Sequence, residues 1–407
     1  MKLRHEPFWL DRVSAHRRPS FPRLRTHLDA RVVVVGGGLT GAATAWSLAA
    51  ARVPVVLLEA DSVCSGATAG AVGLIREDAE ASFAAHVSAH GLRSARQMWQ
   101  AFRRASQELP SALRRLNVRC DAARQDLLTI AARAPDAKAL RREYDARRAA
   151  GLEARWLGGT AVRRDAGIEA PGAIKTDAAA FDPYRAGIGL IAAAVKAGAQ
   201  VFERSPAARI RPGRHKVEVT TDAGSVTADL VVVAGASSIA DLRQLRRHLQ
   251  ARDGYGVVTA PLAAPVRRQV GPRTTALRAE AAVPRFVRWL GEDRVLVAGA
   301  DQPAVPAQSR DRAIVQRTGQ LMYELSLTYP AISGTAPEWG WSFRYDETVD
   351  GLPYIGAHRN FPRHLFALGL GRNGAAASWL AARILLRHIR GEPAKGDELF
   401  EFARNLH

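Results

Sequence analysis

Four valines in a row, Val32 to Val35, run directly into three glycines. A β-branched run without alternation suits a strand buried on both faces, as in a parallel sheet. The small, apolar stretch Ala42 to Ala51 predicts a helix, and Val55 to Leu58 repeats the buried-strand pattern. The folded region therefore opens with a β-α-β unit. From residue 77 to about 118 the positions Leu92, Met98, Phe102, Leu109, Leu113 and Leu116 keep helical spacing. Asp126 to Ala132 reads as a strand, a charged helix follows over about Ala137 to Ala149, and Tyr184 to Ala197 reads as another helix. His215 to Thr221 and Val226–Thr227 bracket an Asp-Ala-Gly turn, a hairpin signal, and Leu230 to Val233 is again a buried strand. Between Leu242 and about Trp339 the texture shifts to short alternating stretches such as RFVRWL and DRVLVAG, which predict an antiparallel sheet. The tail returns to the first texture: HLFALGL is a strand, Ala375 to Ile389 a helix, and Gly391–Pro393 ends it.

The pattern predicts an α/β fold: a Rossmann-like nucleotide domain built from non-contiguous pieces, with an inserted α+β domain based on a mainly antiparallel sheet. The expected division is an N-terminal surface arm over 1–29, nucleotide-domain pieces at 30–90, 151–241 and 338–407, and second-domain pieces at 91–150 and 242–337.

Composition changes this picture little. The 407 residues, 47% of them hydrophobic and 24% charged, are ordinary for a globular chain. No apolar run is long enough to span a bilayer, the N-terminus lacks a signal-peptide core, and two cysteines make no disulfide framework, so a cytoplasmic protein is expected. No Cys/His pattern suggests a metal. The formal charge is +19, and lysine occurs only six times, leaving 52 of the 58 basic residues as arginine. These arginines are dispersed and not interleaved with aromatics, which fits a solvated surface better than a nucleic-acid footprint.

The chemistry is concentrated at the glycines. Gly36-x-Gly38-x-x-Gly41 follows a strand and opens a helix. The first glycine permits the turn, the second lets a pyrophosphate approach, and the third lets helix and strand pack. Glu59, at the end of the next strand, is placed to accept both hydroxyls of an adenosine ribose and to repel a 2′-phosphate. FAD and NAD remain open on that evidence. Two further segments favour a flavin. CSGATAGAVGLI, from Cys64 to Ile75, is a small-residue loop where a pure NAD domain normally continues into a helix. GLGRNGAAA, from Gly369 to Ala377, is a second strand–glycine–helix turn. One dinucleotide has one pyrophosphate, so the second helix end can face the flavin edge where negative charge gathers on reduction.

Taken together, VVVVGGGLTGAATAWSLA, Glu59, SGATAGAVGLI, DPYRAGIGLIAAAVKAGAQVFE, ADLVVVAGA, DGLPYIG and GLGRNG resemble the FAD-dependent oxidoreductases of the D-amino acid oxidase, glycine oxidase and sarcosine oxidase type. The likeness is nearest the bacterial γ-glutamylputrescine oxidase-like branch. The resemblance implies that Gly36, Gly38, Leu39, Thr40 and Gly41 hold the pyrophosphate and that Glu59 and Ala60 meet the ribose. It also implies that Ser65, Gly66, Ala67, Thr68, Val72 and Gly73 line the ribityl chain and flavin. By the same likeness Ala208 meets the adenine, and Ala234, Gly235 and Ala236 close the pyrophosphate side. Asp350, Gly351 and Pro353, with Gly369, Gly371, Arg372, Asn373 and Gly374, wrap the ring. Phe343 stands where covalent-flavin relatives carry Cys, and no His occurs between Ala60 and Glu80, so non-covalent FAD is expected.

The implied reaction is hydride transfer from the carbon of a small amine or amino acid to flavin N5, then imine hydrolysis and reoxidation by O₂ to hydrogen peroxide. For a carboxylate-bearing substrate the candidate guanidiniums are Arg344, Arg288 and Arg372, and Tyr255 and Trp341 are candidate pocket walls. Three alternatives stay open: a flavin dehydrogenase feeding a protein or quinone, an RNA-binding flavoprotein using its basic surface, and a protein that keeps FAD without turnover. Substrate identity and oligomeric state are not written in the sequence.

Overall fold

The computed structural model describes residues 3–131, 136–235, 240–280 and 285–405. Two sheets share the chain. The first orders Tyr354–His358, Phe361–Leu368, Ser225–Ala234, His27–Val35, Val55–Leu58 and Gln200–Phe202 side by side. All neighbours are parallel except the first pair. The hairpin of Arg209–Pro212 and Val217–Thr220 attaches antiparallel to Ser225–Ala234. The valine run is buried on both faces, as its lack of alternation requires. Val32 and Val34 enter a core shared with helices Leu39–Ala50, Pro183–Lys196 and Gly374–Arg390. Val33 and Val35 enter another, against Ile210, Val217, Val219 and Phe366. Trp46 stacks on Trp379 at 5.3 Å and joins two of those helices.

The second sheet runs Pro337–Glu347, Gln250–Thr259, Val295–Pro303, Arg285–Trp289, Thr275–Glu280, Ala123–Ala131, Gly172–Ala180 and Leu74–Arg76, with Arg155–Gly158 beside Gly172–Ala180. It is antiparallel apart from the pairing of Thr275–Glu280 with Ala123–Ala131. Helix Arg310–Thr328 covers one face through Ile314, Leu321 and Leu325, and on the other face Phe286, Phe343 and Tyr345 border a cavity shared with Gly36 and Ala234 at the ends of the first sheet's strands. Among the described residues no helix is long and apolar enough to cross a membrane.

Strand pairing redraws the expected division. Leu74–Arg76, Arg155–Gly158, Gly172–Ala180 and Pro337–Glu347 all belong to the second sheet. The helix Arg310–Thr328 replaces part of the sheet expected between 242 and 337; exposed Val315, Tyr323 and Leu327 on its outer side blur the helical spacing of its buried residues. The N-terminal segment is not a loose surface arm. Its last residues extend the first strand back to His27, and Phe8, Trp9 and Leu24 are buried. The strand placed at Asp126 to Ala132 spans Ala123–Ala131, and Ala132 lies outside the described residues.

Candidate active site

The first glycine turn is shaped by backbone contact. Gly36 adopts φ +107, and a Cβ there would sit 2.5 Å from the Ala234 carbonyl oxygen. At Gly41 a Cβ would lie 1.8 Å from the Gly36 oxygen, so the helix packs on the turn only because both side chains are hydrogen. Glu59 is oriented by two backbone donors: Gly37 N–H to Oε2 at 2.5 Å and Asp61 N–H to Oε1 at 2.9 Å. The Thr68 hydroxyl accepts from Leu39 N–H at 2.9 Å, tying the small-residue loop to the helix start. Thr40 and Ser378 share a hydrogen bond of 2.9 Å, which joins the starts of the two glycine-led helices.

Between these elements lies a cavity of about 460 Å³. Of the sequence-predicted cofactor residues, Gly36, Gly38, Leu39, Thr40, Glu59, Ala60, Gly66, Ala67, Thr68, Val72, Gly73, Ala234, Gly235, Gly369, Gly371, Arg372 and Gly374 line it. Such a chamber has a bare glycine cradle, an oriented acid at one end and a second helix start at the other. Those features fit an extended flavin dinucleotide.

Other predicted residues lie off the cavity wall. Gly41 packs behind the turn, and Ser65 turns its hydroxyl to the Ser62 carbonyl. Ala208 pairs its backbone N–H with Thr220, while its neighbours Pro206 and Ala207 line the cavity instead. Asp350 is held by both nitrogens of an Arg404 fork, at 2.8 and 3.0 Å, and with Gly351 and Pro353 forms a structural turn. Asn373 is buried and donates its amide to the Arg76 and Asp78 carbonyls at 3.0 and 2.6 Å. Its backbone N–H is taken by Glu80, so an acid already sits at that helix start. Ala236 lies outside the described residues.

At the far end the wall is formed by Phe181, Phe286, Phe343, Tyr345, Asp301 and Arg372. Asp301 reaches it through an irregularity. Opposite Gly254 the strand Val295–Pro303 carries two residues, and Ala300 takes φ +53 after Gly299. Such a bulge re-aims the next side chain. Ala300 joins the core under helix Arg310–Thr328, and Asp301 turns to the cavity. Asp301 Oδ2 accepts from the Tyr345 hydroxyl at 2.5 Å and from Arg372 Nε at 2.6 Å. Arg372 also lies 3.9 Å from Glu80 and 5.8 Å from the centre of the Tyr345 ring. Burial opposes the Arg372 charge, but Asp301, Tyr345 and Glu80 outweigh it and hold the guanidinium ionised. Burial, reinforced by Asp301, raises the Tyr345 phenol above its ordinary range.

The substrate-contact expectations fare unevenly. Arg344 borders the cavity, but it alternates with Phe343 and Tyr345 along the strand and turns to the opposite face. There it forks onto Asp253 at 2.9 and 3.1 Å and donates to the Val305 carbonyl at 2.9 Å. Arg288 is buried beneath the loop, donating to the carbonyls of Gly73 and, at 3.3 Å, Val72; burial without a close acid lowers it to about 10. Tyr255 faces the helix side and accepts from Gln302 at 2.7 Å. Trp341 supports the loop, donating to the Gly70 carbonyl at 3.0 Å. Arg288, Tyr255 and Trp341 do not line the cavity and support the elements around it. Asp301, Glu80 and Phe286 were not anticipated. For Asp301 a signal existed, since a glycine inside a strand pattern marks a bulge.

Comparison with known proteins bears on this site. The profile of the FAD dependent oxidoreductase family (DAO) matches residues 31–387. The chain is 24% identical to γ-glutamylputrescine oxidoreductase of Escherichia coli over 390 residues, 95% of this chain and 89% of that protein. It is 26% identical to glycine oxidase of Geobacillus kaustophilus, covering 87% of this chain and 91% of that one. The crystal structure of the Geobacillus kaustophilus glycine oxidase superposes with a TM-score of 0.73, covering 93% of this chain and 98% of the other at 23% identity.

Proposed function

The chain belongs to the DAO family of FAD dependent oxidoreductases, and from that premise we propose that it oxidises the carbon–nitrogen bond of a small amine or amino acid, with O₂ as the final acceptor and hydrogen peroxide as product. The observation that carries this reading is a single cavity bordered by both glycine-led helix starts and closed by an aromatic and charged wall. Two of its relatives are named for γ-glutamylputrescine and for glycine, and both compounds carry an amine.

Bound FAD supplies a two-electron acceptor. The chain's own residues do the rest. Glu59 would take the ribose hydroxyls, the helix start at Gly38 and Thr40 would hold the pyrophosphate, the Leu39 N–H being committed to Thr68, and the loop from Gly66 to Gly73 would lie along the cofactor. Phe181, Phe286, Phe343 and Tyr345 exclude water from the reacting end and orient the substrate. The FAD is held without a covalent bond. Cys64, the cysteine bordering the cavity, is buried against Gly187, donates to the Gly37 carbonyl at 3.4 Å, and has its thiol pushed up by burial, which keeps it unreactive. Two buried, unpaired cysteines also support a cytoplasmic location.

Anaerobic mixing of the FAD-loaded protein with amines, D- and L-amino acids and N-methyl amino acids tests the reading. Bleaching of the flavin band by members of the panel is expected, followed by rapid recovery in air. A band that no compound bleaches overturns it, and a reduced band that persists for many minutes in air reassigns the protein as a dehydrogenase. Acid precipitation is expected to leave all flavin in the supernatant.

A further inference from the structure

The far wall of the cavity carries one guanidinium that faces inward, that of Arg372, and two carboxylates hold it, Asp301 and Glu80. Behind them Arg76 is matched by Asp78 and by Glu80 at 3.1 Å, and Arg278 by Asp78 and Glu280. Arg344 faces away and is matched by Asp253. Arg288, which meets no close carboxylate, lies beneath the loop and spends its N–H groups on the Gly73 and Val72 carbonyls, so among the described residues lining the cavity Arg372 and Arg344 are the guanidiniums and each is held by a carboxylate. The Asp301 side chain is 3% exposed, and both its hydrogen bonds fall on Oδ2. Oδ1 accepts from no described residue, in a side chain that the bulge at Ala300 turns to the cavity.

Resting on the amine-oxidation reading above, we propose that Asp301 is the specificity-determining residue of this pocket, that its Oδ1 receives the ammonium of the incoming substrate, and that the substrates are amines without a carboxylate beside the reacting nitrogen. A carboxylate brought to this wall meets the Asp301 carboxylate, and the guanidinium beside it is already committed to Asp301, whereas an ammonium completes the hydrogen bonding of Asp301. The buried, Tyr345-bonded geometry fixes that acceptor in place before the ligand arrives.

A pair of ions with a common apolar body tests this without turnover. tert-Butylammonium and pivalate share a tert-butyl body and carry opposite charge, and neither has a hydrogen on the carbon next to the polar group, so neither reduces the flavin. Each is titrated into the FAD-loaded protein and read by the flavin difference spectrum, with tert-butanol as the neutral member. The ammonium is expected to bind at least tenfold more tightly than the carboxylate. Asp301→Asn is expected to remove most of that preference while leaving tert-butanol unchanged, and Asp301→Glu to restore part of it. An ammonium that binds no more tightly than pivalate in the unaltered protein overturns the proposal, as does an unchanged preference in Asp301→Asn. Should tert-butylammonium bind as expected while no oxidisable amine bleaches the flavin, Asp301 keeps its role and the oxidation reading fails instead.

Discussion

Glu59 spends both oxygens on the backbone of its own turn, which fixes the direction in which its remaining lone pairs point. Replacing it with arginine puts a cation against the Gly37 and Asp61 N–H groups and removes the acceptor proposed for the ribose. Glu59→Arg is therefore expected to purify without flavin, read by the absorbance ratio of cofactor to protein; full occupancy would mean the acid is not on the ribose. Glu77 makes a prediction of a different kind. Burial raises its carboxyl from 4.5 to about 7, with Arg103 at 3.7 Å pulling the other way. At low pH the group is neutral in both folded and unfolded chains and costs nothing. As pH rises from about 4.5 to 7 only the unfolded chain ionises freely, so stability falls, and above that the folded state carries a buried charge. Glu77→Gln is expected to stabilise the protein at pH 8 by on the order of 2 kcal/mol and to change little at pH 4, measured by denaturant unfolding. At this scale the glycines and the acid that border the cavity were legible because each is placed by local backbone geometry, whereas Ser65, Ala208, Asp350 and Asn373 were expected there and lie off its wall. The substrate wall was not, because Arg344, Arg288 and Arg372 look alike in sequence and differ only in which carboxylate or carbonyl each meets after folding.

The glycine-led helices show how little slack the fold leaves at one point and how much elsewhere. A methyl group at position 41 has no room against the Gly36 carbonyl, and backbone cannot step aside as a side chain can. Gly41→Ala is expected to cost roughly 3 kcal/mol and to abolish flavin retention. Gly319, exposed in the middle of helix Arg310–Thr328, has nothing within 4 Å of an added Cβ, so Gly319→Ala is expected to stabilise by about 0.5–1 kcal/mol. Elements with one clear period were readable: the valine strand, the helices near 137–149 and 375–389, and the hairpin before Leu230 appear within a few residues of their expected places. The second sheet was only partly readable. A strand such as Gly172–Ala180, with Lys175 and Asp177 set among alanines, carries no strong alternation, and its place comes from pairing with Ala123–Ala131 over long range.

At the scale of the whole molecule the N-terminal segment acts as a strap. Arg4 exchanges backbone hydrogen bonds of 2.9 Å with Glu338 and Gly340, Phe8 meets Trp339 edge-on at 5.1 Å, and Trp9 donates to the Ala71 carbonyl at 2.8 Å. Arg288 lies 5.4 Å from the Trp9 ring and holds the same loop from below. Removing residues 1–13 is expected to lower stability by at least about 3 kcal/mol, since two buried aromatics are lost, and to speed flavin release, read by fluorescence of the freed cofactor. The order of strands in the first sheet has a consequence for the birth of the protein. Ser225–Ala234 lies between His27–Val35 and Phe361–Leu368, so its second neighbour is the last strand made among the described residues. At ~5–20 residues per second, a ribosome takes roughly 20–60 s between finishing the first strand and the last. For that interval the nascent chain exposes a valine-rich edge open to mispairing, and the chamber for the flavin does not yet exist. Loading therefore waits for Gly369 to Gly374, the turn that follows the last of these strands and completes the cavity wall.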